Sequence, residues 1–241
     1  MKQLIRLCGA LLGMLILLCG CTPQPSDIAA DSQISSSSAS DFIFFSFFLN
    51  DTGAILPLTV SDDSEVTAAR RLSCDLDASR PGIMAVHDQY TLTNPTDHEI
   101  VLPLFYPIQF GSSQTAVPPA VTVNTQPVEN TWEQHGQKLL SQIELTLPAR
   151  GSADVSFAYE KPGSLDAPGN EAIADRYFGF SIAPWRTSLP FTQQELLLSA
   201  PDELSLRWNP ALDFDSASGI HSVFLKPDIE SYDLTVLYPV F

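Results

Sequence analysis

Beyond residue 41 the sequence predicts an all-β protein, an antiparallel β-sandwich. Three observations predict it. Pro is abundant at 19 and Gly modest at 12, and the apolar runs are short, a composition of many strands and turns rather than of helices. Period-two alternation recurs, most clearly over residues 83–94, 141–147 and 232–238. Turn-forming clusters punctuate these stretches: Ser79-Arg80-Pro81-Gly82, Asn94-Pro95-Thr96-Asp97 and Pro148-Ala149-Arg150-Gly151. The chain beyond residue 41 is long enough for one large or two small β-domains.

The chain begins differently. Lys2 and Arg6 form a positive start, and Leu7 to Cys19 is uninterrupted apolar or small. That run matches the apolar region of a signal peptide and falls short of the ~20 residues of a spanning helix. Small Gly20 stands just before Cys21, where a signal peptidase needs space. Leu18-Cys19-Gly20-Cys21 resembles the lipobox of bacterial lipoproteins, with Leu three places before the cysteine and a small residue directly before it. The resemblance implies that Leu18, Cys19 and Gly20 are the signal-peptidase recognition residues. It also implies that Met1–Gly20 is removed and that Cys21 becomes a lipidated N-terminus. Two or three acyl chains hold a protein firmly to a membrane. Thr22 to Asp41 has seven Ser, two Pro and three Asp and no apolar periodicity, so it is expected to be a disordered tether. Such a tether spans about 25 Å root-mean-square.

Net charge excludes one class of partner. Losing Lys2 and Arg6 with the signal makes the mature body two units more negative than the −16 of the whole chain. Such a body repels phosphate backbones, so nucleic acid is not an expected partner. It also repels anionic lipid, which leaves the lipid on Cys21 as the membrane contact. Of the cysteines Cys8, Cys19, Cys21 and Cys74, only Cys74 stays unmodified in the mature chain, so no internal disulfide is expected. Cys74 lies among alternating residues and reads as a small buried hydrophobe.

Phe42-Ile43-Phe44-Phe45-Ser46-Phe47-Phe48-Leu49 has strand length and is apolar on both faces, so it must be covered or dip toward the membrane. Asn50-Asp51-Thr52-Gly53 resembles the active-site turn of retroviral-type aspartic proteases. That resemblance would imply two such turns sharing a proton, but there is no second Asp-Thr-Gly, and the stretch reads as a turn. Ser61–Glu65 is an acidic loop. A strand pair is expected over Ala68–Leu76 and Ile83–Asn94. Met84, Val86, Tyr90 and Leu92 then share one face, with Asp88 as the exception on it. Ile100–Ile108 is expected as the returning strand, with Pro103 and Pro107 marking an edge or bulge. Tyr90-Thr91-Leu92-Thr93-Asn94, a polar turn and Phe105-Tyr106-Pro107 resemble a pattern of β-sandwich regions in bacterial surface lipoproteins, and of the vault/inter-α-trypsin-type domain. The resemblance implies a fold and strand register, not an activity.

Val121–Asn124 reads as a short strand, and Thr131–Lys138 as one helical turn or a loop. Ser141–Leu147 and Val155–Tyr159 read as a hairpin across Pro148–Gly151. Lys161–Gly169 is Pro/Gly-rich and marks a boundary. Asn170–Ile173 can cap a short helix. Further strands are expected at Tyr177–Ile182, Glu195–Ser199, Leu204–Trp208, Ser222–Lys226 and Tyr232–Tyr238.

Chemistry is sparse. His87, His98, His135 and His221 have no zinc-helix spacing, and no serine-nucleophile motif occurs. Asp213-Phe214-Asp215-Ser216 matches a calcium loop only in part. The candidate binding surface is Trp132, Trp185 with Arg186 beside it, and Trp208. Exposed on a sandwich rim these would suit a sugar or peptide; buried they would be core or hinge plugs.

The expected organisation is a signal peptide over 1–20 and a lipidated cysteine with its tether over 21–41. An immunoglobulin-like β-sandwich module is expected over 42–163, and a second over 170–241 or a continuation of the first. The expected function is that of a lipoprotein on the cell membrane or outer membrane, facing outside the cytoplasm. It would present a non-catalytic surface to an envelope protein or wall polymer, with no cofactor and no metal. An envelope hydrolase using a carboxylate pair is the alternative of a different class.

Overall fold

Sixteen strands and no α-helix make up the described residues of the computed structural model, which are 53–60, 65–110, 117–165, 176–184, 187–213, 215–217, 220–226 and 228–239. The expectations for Leu18–Cys21, the tether, Phe42–Leu49, Asn50–Thr52, most of the acidic loop, the helix start at Asn170–Ile173, the pair Trp185–Arg186 and Phe214 lie outside them.

The strands are β1 (Thr59–Val60), β2 (Thr67–Leu76), β3 (Ile83–Thr93), β4 (Ile100–Gln109), β5 (Ala120–Val123), β6 (Gln126–Val128), β7 (Thr131–His135) and β8 (Lys138–Leu147). Then come β9 (Ser152–Pro162), β10 (Ser164–Leu165), β11 (Tyr177–Ile182), β12 (Phe191–Ser199), β13 (Ser205–Asn209), β14 (Asp215–Ala217), β15 (Ile220–Phe224) and β16 (Tyr232–Leu237). They form an eight-stranded sheet, β14-β15-β12-β2-β3-β9-β5-β6, and two four-stranded sheets, β1-β4-β8-β7 and β10-β11-β16-β13. The protein is therefore all-β with several antiparallel sheets packed as a sandwich. One ladder departs from antiparallel pairing: β12 lies parallel to β2, with Leu196 opposite Leu72. Strands from either side of Lys161–Gly169 thus share one sheet.

The long sheet is covered twice along one face. Near one end of β2 and β3, Ala68, Tyr90 and Leu92 pack with Leu104, Tyr106, Ile143 and Leu145 of the β4/β8 sheet. Near the other end, Leu72, Cys74, Met84 and Val86 pack with Phe180, Tyr232, Leu234 and Val236 of the β11/β16 sheet. The alternation of β16 is as expected, with Tyr232, Leu234, Val236 and Tyr238 all buried. Burying each such side chain contributes roughly 1.5–3 kcal/mol.

Three connections differ from the sequence reading. Strand β4 does not return beside β3; it pairs with β8 and, at Leu104 and Phe105, with β1. Pro103 and Pro107 are tolerated because the two-residue β1 leaves most of that β4 edge without a ladder. Strands β8 and β9 are not a hairpin. They lie in opposite sheets, and residues 148–151 carry the chain across. That turn has Arg150 at φ 54° and a bond from Gly151 N to Pro148 O of 3.0 Å. Buried Asn94 clamps it: its Nδ2 donates to Pro148 O (3.0 Å) and His98 O (2.8 Å), while its N donates to Gly151 O (2.9 Å). Residues 131–138 form no helical turn; they are β7 and a tight turn at Gly136, φ 60°, leading into β8.

Candidate functional site

The exception on β3 proves central. Asp88 lies on the inward face between the two cores, wholly buried, and so does Arg70 on β2. Arg70 Nε donates to Asp88 Oδ1 at 2.8 Å and Nη2 to Oδ2 at 2.7 Å, a bidentate pair. Oδ2 also accepts from the hydroxyls of Tyr90 (2.7 Å) and Tyr106 (2.8 Å). Arg70 Nη1 donates to Gln194 Oε1 at 3.1 Å, and Gln194 Nε2 to Pro184 O at 3.0 Å. Burial works against the Arg70 charge, and the Asp88 carboxylate more than offsets it, so the guanidinium pKa is raised. Burial likewise pushes the phenols of Tyr90 and Tyr106 well above the usual tyrosine range. Every member is satisfied and solvent is excluded, so this layer is a structural seam.

Where the two cores meet at Phe110 on one side and Phe180 and Leu234 on the other, a cleft of about 930 Å³ opens, within the range of ligand sites. Its floor is the end of β9 with Gly82 and Ile83; one wall is Gln109 and Phe110 at the end of β4; the other is β10, β11 and Asp233–Thr235 of β16. Glycine makes the approach of these walls possible. A Cβ on Gly82, whose φ is +75°, would lie 2.3 Å from the Phe178 ring, and one on Gly163 would lie 2.9 Å from the Phe180 ring. Gly163 N donates to Gly82 O at 2.9 Å and ties the floor together.

Lys161 sits in this cleft. Inward positions of β9 are Ala153, Val155 and Phe157, then half-buried Tyr159, then Lys161. The ammonium is placed where the alternation calls for a core side chain. Lys161 is 5% exposed, its Nζ donates to Gln109 O at 2.8 Å, and burial lowers its pKa from 10.5 to about 8. In the sequence reading Lys161 opens a boundary segment. Continuing the β9 alternation past Tyr159 is the signal that finds it.

The tryptophan candidates are not brought together. Trp132 is 47% exposed on edge strand β7. Trp208 is half-buried on β13, in another sheet, packed against the Leu72–Val236 core. Trp185 and Arg186 lie outside the described residues. Cys74 is buried and free, and burial pushes its thiol pKa up. No group of three or more His, Cys, Asp or Glu that could hold a metal occurs among the described residues.

No family model matches this chain, and no curated protein does. Solved structures do. A Legionella pneumophila protein assigned a nutrient-binding role aligns with a TM-score of 0.54 at 11% identity, over 76% of this chain and 70% of that one. An M1 zinc metallopeptidase from Deinococcus radiodurans aligns at 0.36 with 17% identity, over 74% of this chain and 45% of its own. Native yeast LTA4 hydrolase aligns at 0.42 with 7% identity, over 71% and 29%. At these identities the first likeness concerns the fold alone. The chain spans less than half the length of the two enzymes.

Proposed function

We propose that this protein is a lipid-anchored, extracytoplasmic binding module that holds a ligand in the cleft where its two cores meet. The observation that carries the reading is the cleft itself, with a buried cation on a floor built to admit close walls. The lipobox-like Leu18-Cys19-Gly20-Cys21 supports the anchor, with Cys21 as the lipid-bearing residue. A hydrolase using a carboxylate pair finds less support: among the described residues lining the cleft, Asp233 is the one acid. The carboxylate at the seam, Asp88, is occupied by Arg70 and two phenols.

A second reading has one observation in its favour. Strand β7 is exposed at every position and carries Trp132, a surface that would suit an envelope protein or wall polymer. Photo-crosslinking in intact cells separates the two. A benzophenone amino acid at Leu165, exposed on the cleft wall, is expected to capture the ligand, and one at Trp132 to capture nothing specific. The reverse pattern would move the binding surface to β7. For the anchor, intact-mass analysis is expected to show a diacylated N-terminal Cys21. Cys21→Ser is expected to leave the membrane fraction or stay uncut, and unchanged membrane retention with an unmodified N-terminus would remove the lipoprotein reading.

A further inference from the structure

The cation on the cleft floor has a consequence for what the cleft takes. Lys161 is nearly enclosed, and the described contacts give its three ammonium hydrogens one acceptor, Gln109 O at 2.8 Å. None of the ion pairs among the described residues includes it. A buried ammonium with one backbone acceptor and no counter-charge is costly. It stands in the row of Met84 on the inward face, where Leu, Met or Val would close the sandwich. Alongside it the cleft is lined by Phe178, Phe180 and Leu165.

We propose that the cleft binds a small organic molecule bearing a single carboxylate, paired with the Lys161 ammonium, with an apolar body against Phe178, Phe180 and Leu165. The inference rests on the cleft being the binding site and names the chemistry it selects. One ammonium neutralises one charge. A second negative charge, as on phosphate, would meet Asp233 in the same cleft and the field of a chain with net charge −16. The volume of about 930 Å³ suits a molecule of amino-acid to drug size. The lowered Lys161 pKa implies a pH signature, since an ammonium that deprotonates near pH 8 stops pairing with a carboxylate above it.

The test uses the full chain in detergent, with empty micelles as the blank. Affinities are measured at pH 6.5 by titration calorimetry for three carboxylates: 4-phenylbutyrate, hexanoate and N-acetylphenylalanine. The primary amide of each serves as its neutral counterpart, and inorganic phosphate as a competing anion. At least one carboxylate is expected to bind roughly tenfold or more tightly than its amide, equivalent to about 1.4 kcal/mol. Lys161→Met and Lys161→Gln are expected to bring that carboxylate down to the level of the amide, with unchanged circular dichroism. Affinity for the carboxylate is expected to fall between pH 7 and 9 and that for the amide to stay level. Amides binding as tightly as carboxylates, unaffected by either variant, would leave the cleft as the binding site and overturn carboxylate selection. Phosphate displacing the carboxylate at equal affinity would overturn the single-charge assignment. No binding of any of the six probes at 10 mM, with photo-crosslinking at Leu165 also empty, would overturn both the inference and the cleft reading.

Discussion

Substituting Asp88 by Asn tests the seam with almost no change of volume. The side chains of Asp88 and Arg70 are both 0% exposed, so the guanidinium left behind stays buried with no counter-charge, Gln194 Oε1 and a single neutral amide oxygen being its side-chain acceptors. The new amide presents one oxygen and one NH2 to four donors: Arg70 Nε, Arg70 Nη2 and the hydroxyls of Tyr90 and Tyr106. Removing one partner of a buried pair costs about 3–5 kcal/mol, against a total stability of about 5–15 kcal/mol. At about 2–4 °C per kcal/mol the melting temperature is expected to drop by roughly 6–20 °C. Arg70→Met is expected to cost a similar amount by stranding the carboxylate. The double variant Arg70→Met/Asp88→Leu is expected to be less destabilised than either single one. No charge remains, Tyr90 OH still accepts from Leu58 N at 2.9 Å, and the residual cost of unsatisfied hydroxyls is about 1–3 kcal/mol. Urea unfolding followed by tryptophan fluorescence measures all three. Single variants within about 1 kcal/mol of the parent, or a double variant equal to the sum of the singles, would refute the seam as one coupled unit.

Two further outcomes concern the cleft. Lys161 has a lower pKa folded than unfolded, so between about 8 and 10.5 the unfolded chain binds more protons and stability rises with pH. Below pH 8 the folded state therefore bears a penalty of up to about 3 kcal/mol. Lys161→Met is expected to be more stable than the parent at pH 7 by an amount that shrinks toward pH 10, as read by denaturant midpoints. A variant less stable at pH 7, or a gap independent of pH, would contradict the burial of the charge. Gly82→Ala drives a Cβ into the Phe178 ring at φ +75° and is expected to cost roughly 2 kcal/mol or more in thermal unfolding. Gly53→Ala is the control: its φ is +61° with nothing within 4 Å, so it bears backbone strain alone and should cost less than Gly82→Ala.

The strands are legible where one face is buried and the other wet. Alternation in β3 and β16 reads directly from the residues, and even the exception at Asp88 marks the seam. Its partner Arg70 falls in phase with Ala68, Leu72, Cys74 and Leu76, so the β2 alternation already turns it inward and Arg71 outward; what no local pattern tells is that it meets Asp88 there. The Tyr90, Leu92, Asn94 series is explained by the fold: all three point inward, Tyr90 to Asp88 and Asn94 to two turns. Sheet assignment is not legible. A turn that closes a hairpin and one that crosses between sheets use the same residues, and only the Asn94 clamp on Pro148 O distinguishes them here. The parallel pairing of β12 with β2 depends on distant residues, which no local pattern encodes. The tryptophans stand out by type and loop-like setting, and neither property reports on which sheet they lie. The cleft escapes a sequence reading because a lysine before Pro-Gly looks like solvated loop until its strand phase is counted.

The pairing of β12 with β2 also sets an order of events. Thr192 Oγ1 donates to Ala68 O across a separation of 124 positions, and Gln194 completes the contacts of Arg70 across the same separation. Until about the last fifth of the chain is available, β2 has one flank open in what becomes the middle of the largest sheet. Clipping the protein ahead of β12 therefore does not yield a smaller working unit. It yields a bared inner strand, a template onto which other copies can add.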